Sequence, residues 1–279
     1  MKINEWIAQW ERSVPLSLQE SWDHSGKQIG RFDQELRGIV LSLDLTEAAV
    51  EAARQCGANL IFTHHPPFFY PVFQLTDAQR VHRLLLGAVE EGIAVYSSHT
   101  PLDKIGWGVN GCLGELLGLT EIQCLEKTGI DFEGAACEAS SAAAPDAGQR
   151  TQGLGVVGTI GEQTLEAFAA LVKERLAAPH ILFYGNRDTV LHRVGIVGGA
   201  GMDYAGEAIE RGCQAFLTAD IKYHEASEAL ERGIVLVDAG HYWSEQPVMA
   251  RVGRWIEEHT NKIPYEIVQQ KPEELRNVL

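Results

Sequence analysis

Two adjacent histidines, His64-His65, and two spaced pairs, His99-x-x-x-Asp103 and His241-x-x-x-Glu245, are the residues whose types and spacing could do chemistry. Imidazole mixed with carboxylate suits zinc, iron(II) or manganese(II) better than calcium or magnesium, which prefer oxygen. Each signal is weak alone. An HH pair is common on surfaces, an i,i+4 pair shares a helical face whether or not it binds anything, and aspartate often serves a turn. The joint placement is more specific, because each group follows a short apolar run that reads as a strand: Leu60–Thr63, Ile93–Ser97 and Ile234–Asp238. In parallel α/β sheets the carboxyl ends of strands are where sites are built. Neighbouring strand residues point to opposite faces, so His64 and His65 converge only where the chain turns, as Pro66-Pro67 requires. The pair then holds one ion or reaches two. The donors His64, His65, Asp103, His241 and Glu245 outnumber the three protein ligands of a usual catalytic zinc. A bridging carboxylate would let them share two divalent ions.

The elements that must position these residues alternate along the chain. Strands are expected at Gly38–Leu43, Asn59–Thr63 and Ile93–Ser97, with helices at Thr46–Gln55 (closed by Gly57), Ala78–Glu91 and Val109–Leu117. Ile3, Trp6, Ile7 and Trp10 recur at helical spacing near the N-terminus. Residues Glu133–Arg150 are small, polar and aperiodic, the composition of a surface loop. Beyond them, strands are expected at Gly155–Ile160, Val194–Val197, Ala215–Thr218 and Ile234–Asp238, with helices at Thr164–Leu176 and Ala205–Arg211. Short apolar strands alternating with helices indicate an α/β fold of mainly parallel sheets covered on both faces. The halves also resemble each other. TEAAVEAARQCGANLIFT from Thr46 is answered by MDYAGEAIERGCQAFLT from Met202, and EEGIAVYSSHTPLD from Glu90 by LERGIVLVDAGHYWSE from Leu230. This suggests two pseudo-symmetric α/β lobes, residues 1–125 and 126–279.

Composition narrows the partners. At 279 residues with a net charge of −15, neither a nucleic-acid backbone nor an anionic membrane is expected as the main partner. No stretch approaches the roughly 18 apolar residues that span a bilayer, and no signal peptide is evident. The five cysteines form no CxxC pair, which suits reduced thiols and a cytoplasmic protein. A small-molecule substrate remains the natural partner. The stretch GIVGGAG at Gly195–Gly201 fits either a phosphate cradle or, better, a tight strand-to-helix turn, since it lacks the usual nucleotide-loop spacing.

ANLIFTHHPPFF, YSSHTPLDKIGWGVNGCLGELLGL and LTADIKYHEASEALERGIVLVDAGHYWSE resemble the signature blocks of the GTP cyclohydrolase 1 type 2 homologues, the Nif-three-like dinuclear metal centre family. SWDHSGKQIG resembles the family's N-terminal block, departing from it at His24 and Lys27. The resemblance covers nearly the whole chain apart from 133–150. It implies two interlocked α/β lobes, a toroidal homohexamer and a two-metal site. His64 and His65 would be ligands, with Asp103, His241 and a bridging Glu245. Some larger members insert a separate domain in mid-chain; here the span is short enough for only a small βαβ element and loop. The implied activity is hydrolytic opening of a purine ring by metal-activated water, which makes a nucleotide a candidate substrate. His99 would support the site as a proton shuttle or by steadying a ligand, and Lys222 and His224 could contact phosphate or carry protons. A phosphoesterase or a non-enzymatic metal-dependent regulator would use the same ligands.

Overall fold

A computed structural model describes residues 1–126 and 153–269, so the loop expected at 133–150 lies outside the described residues. The chain packs as two compact units, Met1–Leu102 with Met249–Leu279, and Asp103–Val248.

The first unit contains α1 (Ile3–Ser13), β1 (Gly26–Ile29), β2 (Ile39–Ser42), α2 (Glu47–Cys56), β3 (Leu60–Thr63), α3 (Arg80–Glu90) and β4 (Ala94–Ser97), and α4 (Thr100–Lys104) follows at the junction. Thr46 caps α2 by accepting from Ala49 N, and Gly57 closes it in the left-handed conformation at φ 72°. Every residue of β2, β3 and β4 is buried, as expected for strands covered on both faces. Parallel pairing sets Ser42 against Thr63 and Thr63 against Ser97, so the three strands end level. Whatever follows them emerges along one edge.

The second unit contains α5 (Val109–Leu116), β5 (Thr120–Cys124), β6 (Val156–Thr164), α6 (Leu165–Arg175), β7 (Leu182–Tyr184), β8 (Val190–Ile196), α7 (Ala205–Glu210), β9 (Ala215–Thr218), α8 (Tyr223–Glu231), β10 (Val235–Asp238) and α9 (His241–Glu245). Its sheet runs β5-β6-β8-β9-β10-β7. The strands β8, β9 and β10 are parallel, while β5, β6 and β7 pair antiparallel on the two flanks. The expected small βαβ element is present as β6-α6-β7, its two strands separated by the three parallel ones.

The chain then returns to the first unit through α10 (Pro247–His259) and β11 (Tyr265–Ile267). The sequence suggested a division at 125/126, whereas the compact units divide after Leu102 and again after Val248. β11 pairs parallel with the open edge of β2, completing the order β1-β4-β3-β2-β11. Trp255 of α10 packs edge-on to Trp6 and Trp10 of α1, at centroid distances of 5.9 and 5.0 Å. Its indole donates to Ser13 Oγ at 3.1 Å. Fully burying large apolar side chains contributes roughly 1.5–3 kcal/mol each, so this aromatic layer outweighs the sequence proximity of residues 249–269 to the second unit. Among the described residues no helix is long and apolar enough to cross a membrane.

Candidate metal centre

In the first unit the strand ends deliver three imidazoles. His64 and His65 follow β3, and their amides donate to Ser42 O at 3.2 Å and Leu43 O at 2.8 Å, which pins the turn to the neighbouring chain. Their ring centroids lie 4.9 Å apart. His99, just after β4, sits 5.1 Å from the ring of His64 and 5.5 Å from that of His65. One donor atom from each of the three falls within 4.8 Å of the others. The structure therefore groups His99 with the adjacent pair.

Each ring is held from behind. His64, wholly buried, directs Nδ1 to the Ser98 carbonyl at 2.9 Å, and His65 directs Nδ1 to Asp44 Oδ1 at 2.8 Å. His99 Nδ1 lies 2.9 Å from Asp23 Oδ1. That carboxylate also accepts from His24 N and Ser25 Oγ at 2.7 Å, and from Thr100 Oγ1 at 2.7 Å and Thr100 N at 3.2 Å. Burial would push the Asp23 carboxyl up, yet the hydrogen bonds and the charge of His99, with Thr100 and Ser25, hold it well below the usual carboxylate range.

In the second unit His241 opens α9 and Glu245 lies one turn on, so the i,i+4 spacing brings His241 Nε2 within 3.2 Å of Glu245 Oε1. That separation is short enough for a hydrogen bond, and the same two atoms could hold a divalent ion. His241 Nδ1 lies 2.7 Å from Asp220 Oδ2. Ser244 Oγ donates to His241 O and accepts from Gly199 N, both at 2.9 Å. Asn110 joins two nearby stretches of chain, its Nδ2 donating to Asp103 O and its Oδ1 accepting from Gly198 N, both at 2.9 Å. Asp103 itself lies in α4. The glycine stretch after β8 faces this pair. Gly199, at φ 67°, lies so close that a side chain there would overlap Glu245 Oε1 and stand 3.3 Å from His241 Nε2.

The donor sets fit a divalent transition metal: clustered imidazoles in one unit, and in the other an imidazole–carboxylate pair beside a backbone that leaves no room for a side chain. Lys222 has a different setting: exposed, it pairs with Glu225 at the start of α8, Nζ to Oε1 at 3.0 Å. His224 packs its ring edge-on to Tyr223 at 5.2 Å. Sequence reasoning missed Asp23, Asp44 and Asp220. Asp44 and Asp220 follow β2 and β9, so the strand-end rule that singled out the histidines applied to them equally.

The profile of the family described as Duf34/NIF3 (NGG1p interacting factor 3) matches residues 1–273. A Clostridium perfringens protein named GTP cyclohydrolase 1 type 2 homolog is 30% identical, the alignment covering 92% of each chain. A Nostoc protein of the same name is 32% identical over 90% of each. The crystal structure of a Staphylococcus aureus hypothetical protein superposes with a TM-score of 0.86 at 28% identity, covering 100% of this chain and 99% of the other.

Proposed function

The chain belongs to the Duf34/NIF3 family, and from that premise we propose that it is a dinuclear-metal-dependent hydrolase acting on a small molecule, with a purine nucleotide as the first candidate. In this reading His64, His65, Asp103, His241 and Glu245 are the ligands of two divalent ions, zinc, iron or manganese, and Glu245 bridges them. The observation that carries it is the inward presentation of imidazoles by backbone and carboxylate acceptors, a habit of metal-ligating histidine.

When bound, two such ions supply hydroxide from water near neutral pH and polarise the attacked centre. The chain's own groups do the rest. His64 and His65 are carried on a turn that backbone bonds to Ser42 and Leu43 hold in place. His99, backed by Asp23, presents Nε2 as the group that takes and returns a proton. The relatives' shared name supports purine ring opening, with water adding to the ring carbon between two nitrogens and a ring C–N bond breaking to leave a formamide. The thiols of Cys56 and Cys213 support a reducing compartment, and we assign the protein to the cytoplasm, as a closed homohexamer on the family resemblance.

The test is incubation of metal-loaded protein with GTP, reading the formamidopyrimidine product by absorbance and chromatography, and inorganic phosphate in parallel. Metal-dependent ring opening is the expected result. Phosphate release without ring opening would move the assignment to a phosphoesterase, and no turnover with two ions bound would leave a metal-dependent regulator.

A further inference from the structure

All four site histidines turn the same ring nitrogen towards the scaffold. His64 Nδ1 meets a carbonyl, Ser98 O, at 2.9 Å, whereas His65, His99 and His241 meet Asp44, Asp23 and Asp220 at 2.8, 2.9 and 2.7 Å. Carbonyls and carboxylates only accept, so a neutral ring held in this way carries its proton on Nδ1 and its lone pair on Nε2. His241 alone also has a carboxylate at Nε2, Glu245 Oε1 at 3.2 Å. Three carboxylates from three separate loops, in two units, make one kind of contact. Local sequence does not account for this.

Asp220 shows the placement most clearly. Its backbone takes φ 55°, a left-handed conformation that non-glycine residues adopt at a cost, though aspartate tolerates it better than most. Another aspartate nearby, Asp238, ties the loop instead, accepting from Gly240 N at 2.9 Å and Ile221 N at 3.3 Å. The loop's backbone thus has its own carboxylate, and the Asp220 side chain is spent on the imidazole.

We propose that Asp44, Asp220 and Asp23 are positioning residues that fix the Nδ1–H tautomer and orientation of His65, His241 and His99, so that Nε2 faces the metal centre. This rests on the metal-centre reading above. Asp44 and Asp220 are 48% and 43% exposed, so they add little to folding and their role in ligation can be isolated. Asp23 is fully buried among its donors, and its loss would disturb the fold as well.

The experiment uses the full chain stripped of metal and titrated with cobalt(II). Occupancy is read from the visible absorption bands and by competition with a chromophoric chelator, beside the melting temperature of the metal-free protein. The variants are Asp44→Asn, Asp220→Asn and their glutamate counterparts. An asparagine amide can donate to Nδ1, which drives the proton to Nε2 and blocks it as a ligand. The expected result is a cobalt affinity lowered roughly 10- to 100-fold in each asparagine variant. Metal-free melting should stay close to wild type, and glutamate should restore part of the affinity. Wild-type affinity in both asparagine variants would overturn the proposal, as would a loss that follows falling metal-free stability. Wild-type protein that takes up no cobalt would instead sink the metal reading. The positioning role would then be read from nitrogen-15 spectra of histidine-labelled metal-free protein, where Nδ1–H tautomers uphold it and Nε2–H tautomers overturn it.

Discussion

Gly199 and Glu245 are in such close register that the carboxylate occupies the space a side chain at 199 would need. The left-handed backbone at φ 67° and the overlap with Glu245 Oε1 act together against any larger residue. Gly199→Ala should therefore displace Glu245 and lower metal content, besides costing about 1–2 kcal/mol in backbone strain. Gly57→Ala is the control. Gly57 has φ 72° but nothing within 4 Å of the added carbon, so it should carry the strain alone and keep its metal. Metal analysis and thermal melting of the two variants check this; equal metal content in both would remove the packing role assigned to Gly199.

Glu245 and Asp103 should differ in metal stoichiometry. As the proposed bridge, Glu245 is the anionic ligand common to both ions, so Glu245→Gln should lose most of both. Asp103→Asn should keep about one, since an unshared carboxylate serves a single ion. Elemental analysis with circular dichroism decides it. A folded Glu245→Gln protein that retains two tightly held ions would show that Glu245 does not bridge.

Cysteine reactivity should divide by burial. Burial pushes the Cys213 thiol up to about 11, outweighing the charges of Arg193 and Arg211 that act the other way. Near pH 8 it remains protonated, and only the thiolate is nucleophilic, so iodoacetamide should label exposed Cys56 and spare Cys213. Because the folded value lies above the unfolded value of 9.0, the unfolded chain ionises first as pH rises. Stability should fall across the window from 9 to about 11. Peptide mapping after labelling checks the first outcome, and urea melts at stepped pH check the second.

Trp255→Ala should destabilise the first unit by about 3–5 kcal/mol, the usual cost of deleting a large buried aromatic. The residue is 3% exposed and meets both Trp6 and Trp10. The loss should appear in urea denaturation as a lower midpoint. A change below about 1 kcal/mol would mean that the aromatic layer is not what holds α10 to α1.

Much of this was legible before folding. His64, His65, His241 and Glu245 stood out because apolar strands followed by polar groups are a local signal, and the strands themselves are set by a local burial pattern. The conformation of α2 was equally local, with Thr46 at one end and Gly57 at the other. The short strands β1, β5, β7 and β11 were not legible, since their residues are mostly half-buried or exposed and lack the continuous buried apolar run of the equally short β3 and β4.

Two further matters were decided by tertiary structure alone. Residues 249–269 belong to the first unit because Trp255 and β11 find partners more than 200 positions earlier in the chain, a choice made by buried area and an open sheet edge. Asp44, Asp23 and Asp220 were not singled out by the sequence. Each became a histidine's partner only when folding brought an imidazole from 21, 76 or 21 residues away to its carboxylate. Sequence determines which side chains can ligate, because that is a matter of atom type and strand-end position. Which ring nitrogen would face an ion depends on what stands behind the ring, and a hydrogen bond across such distances exists only in the folded chain.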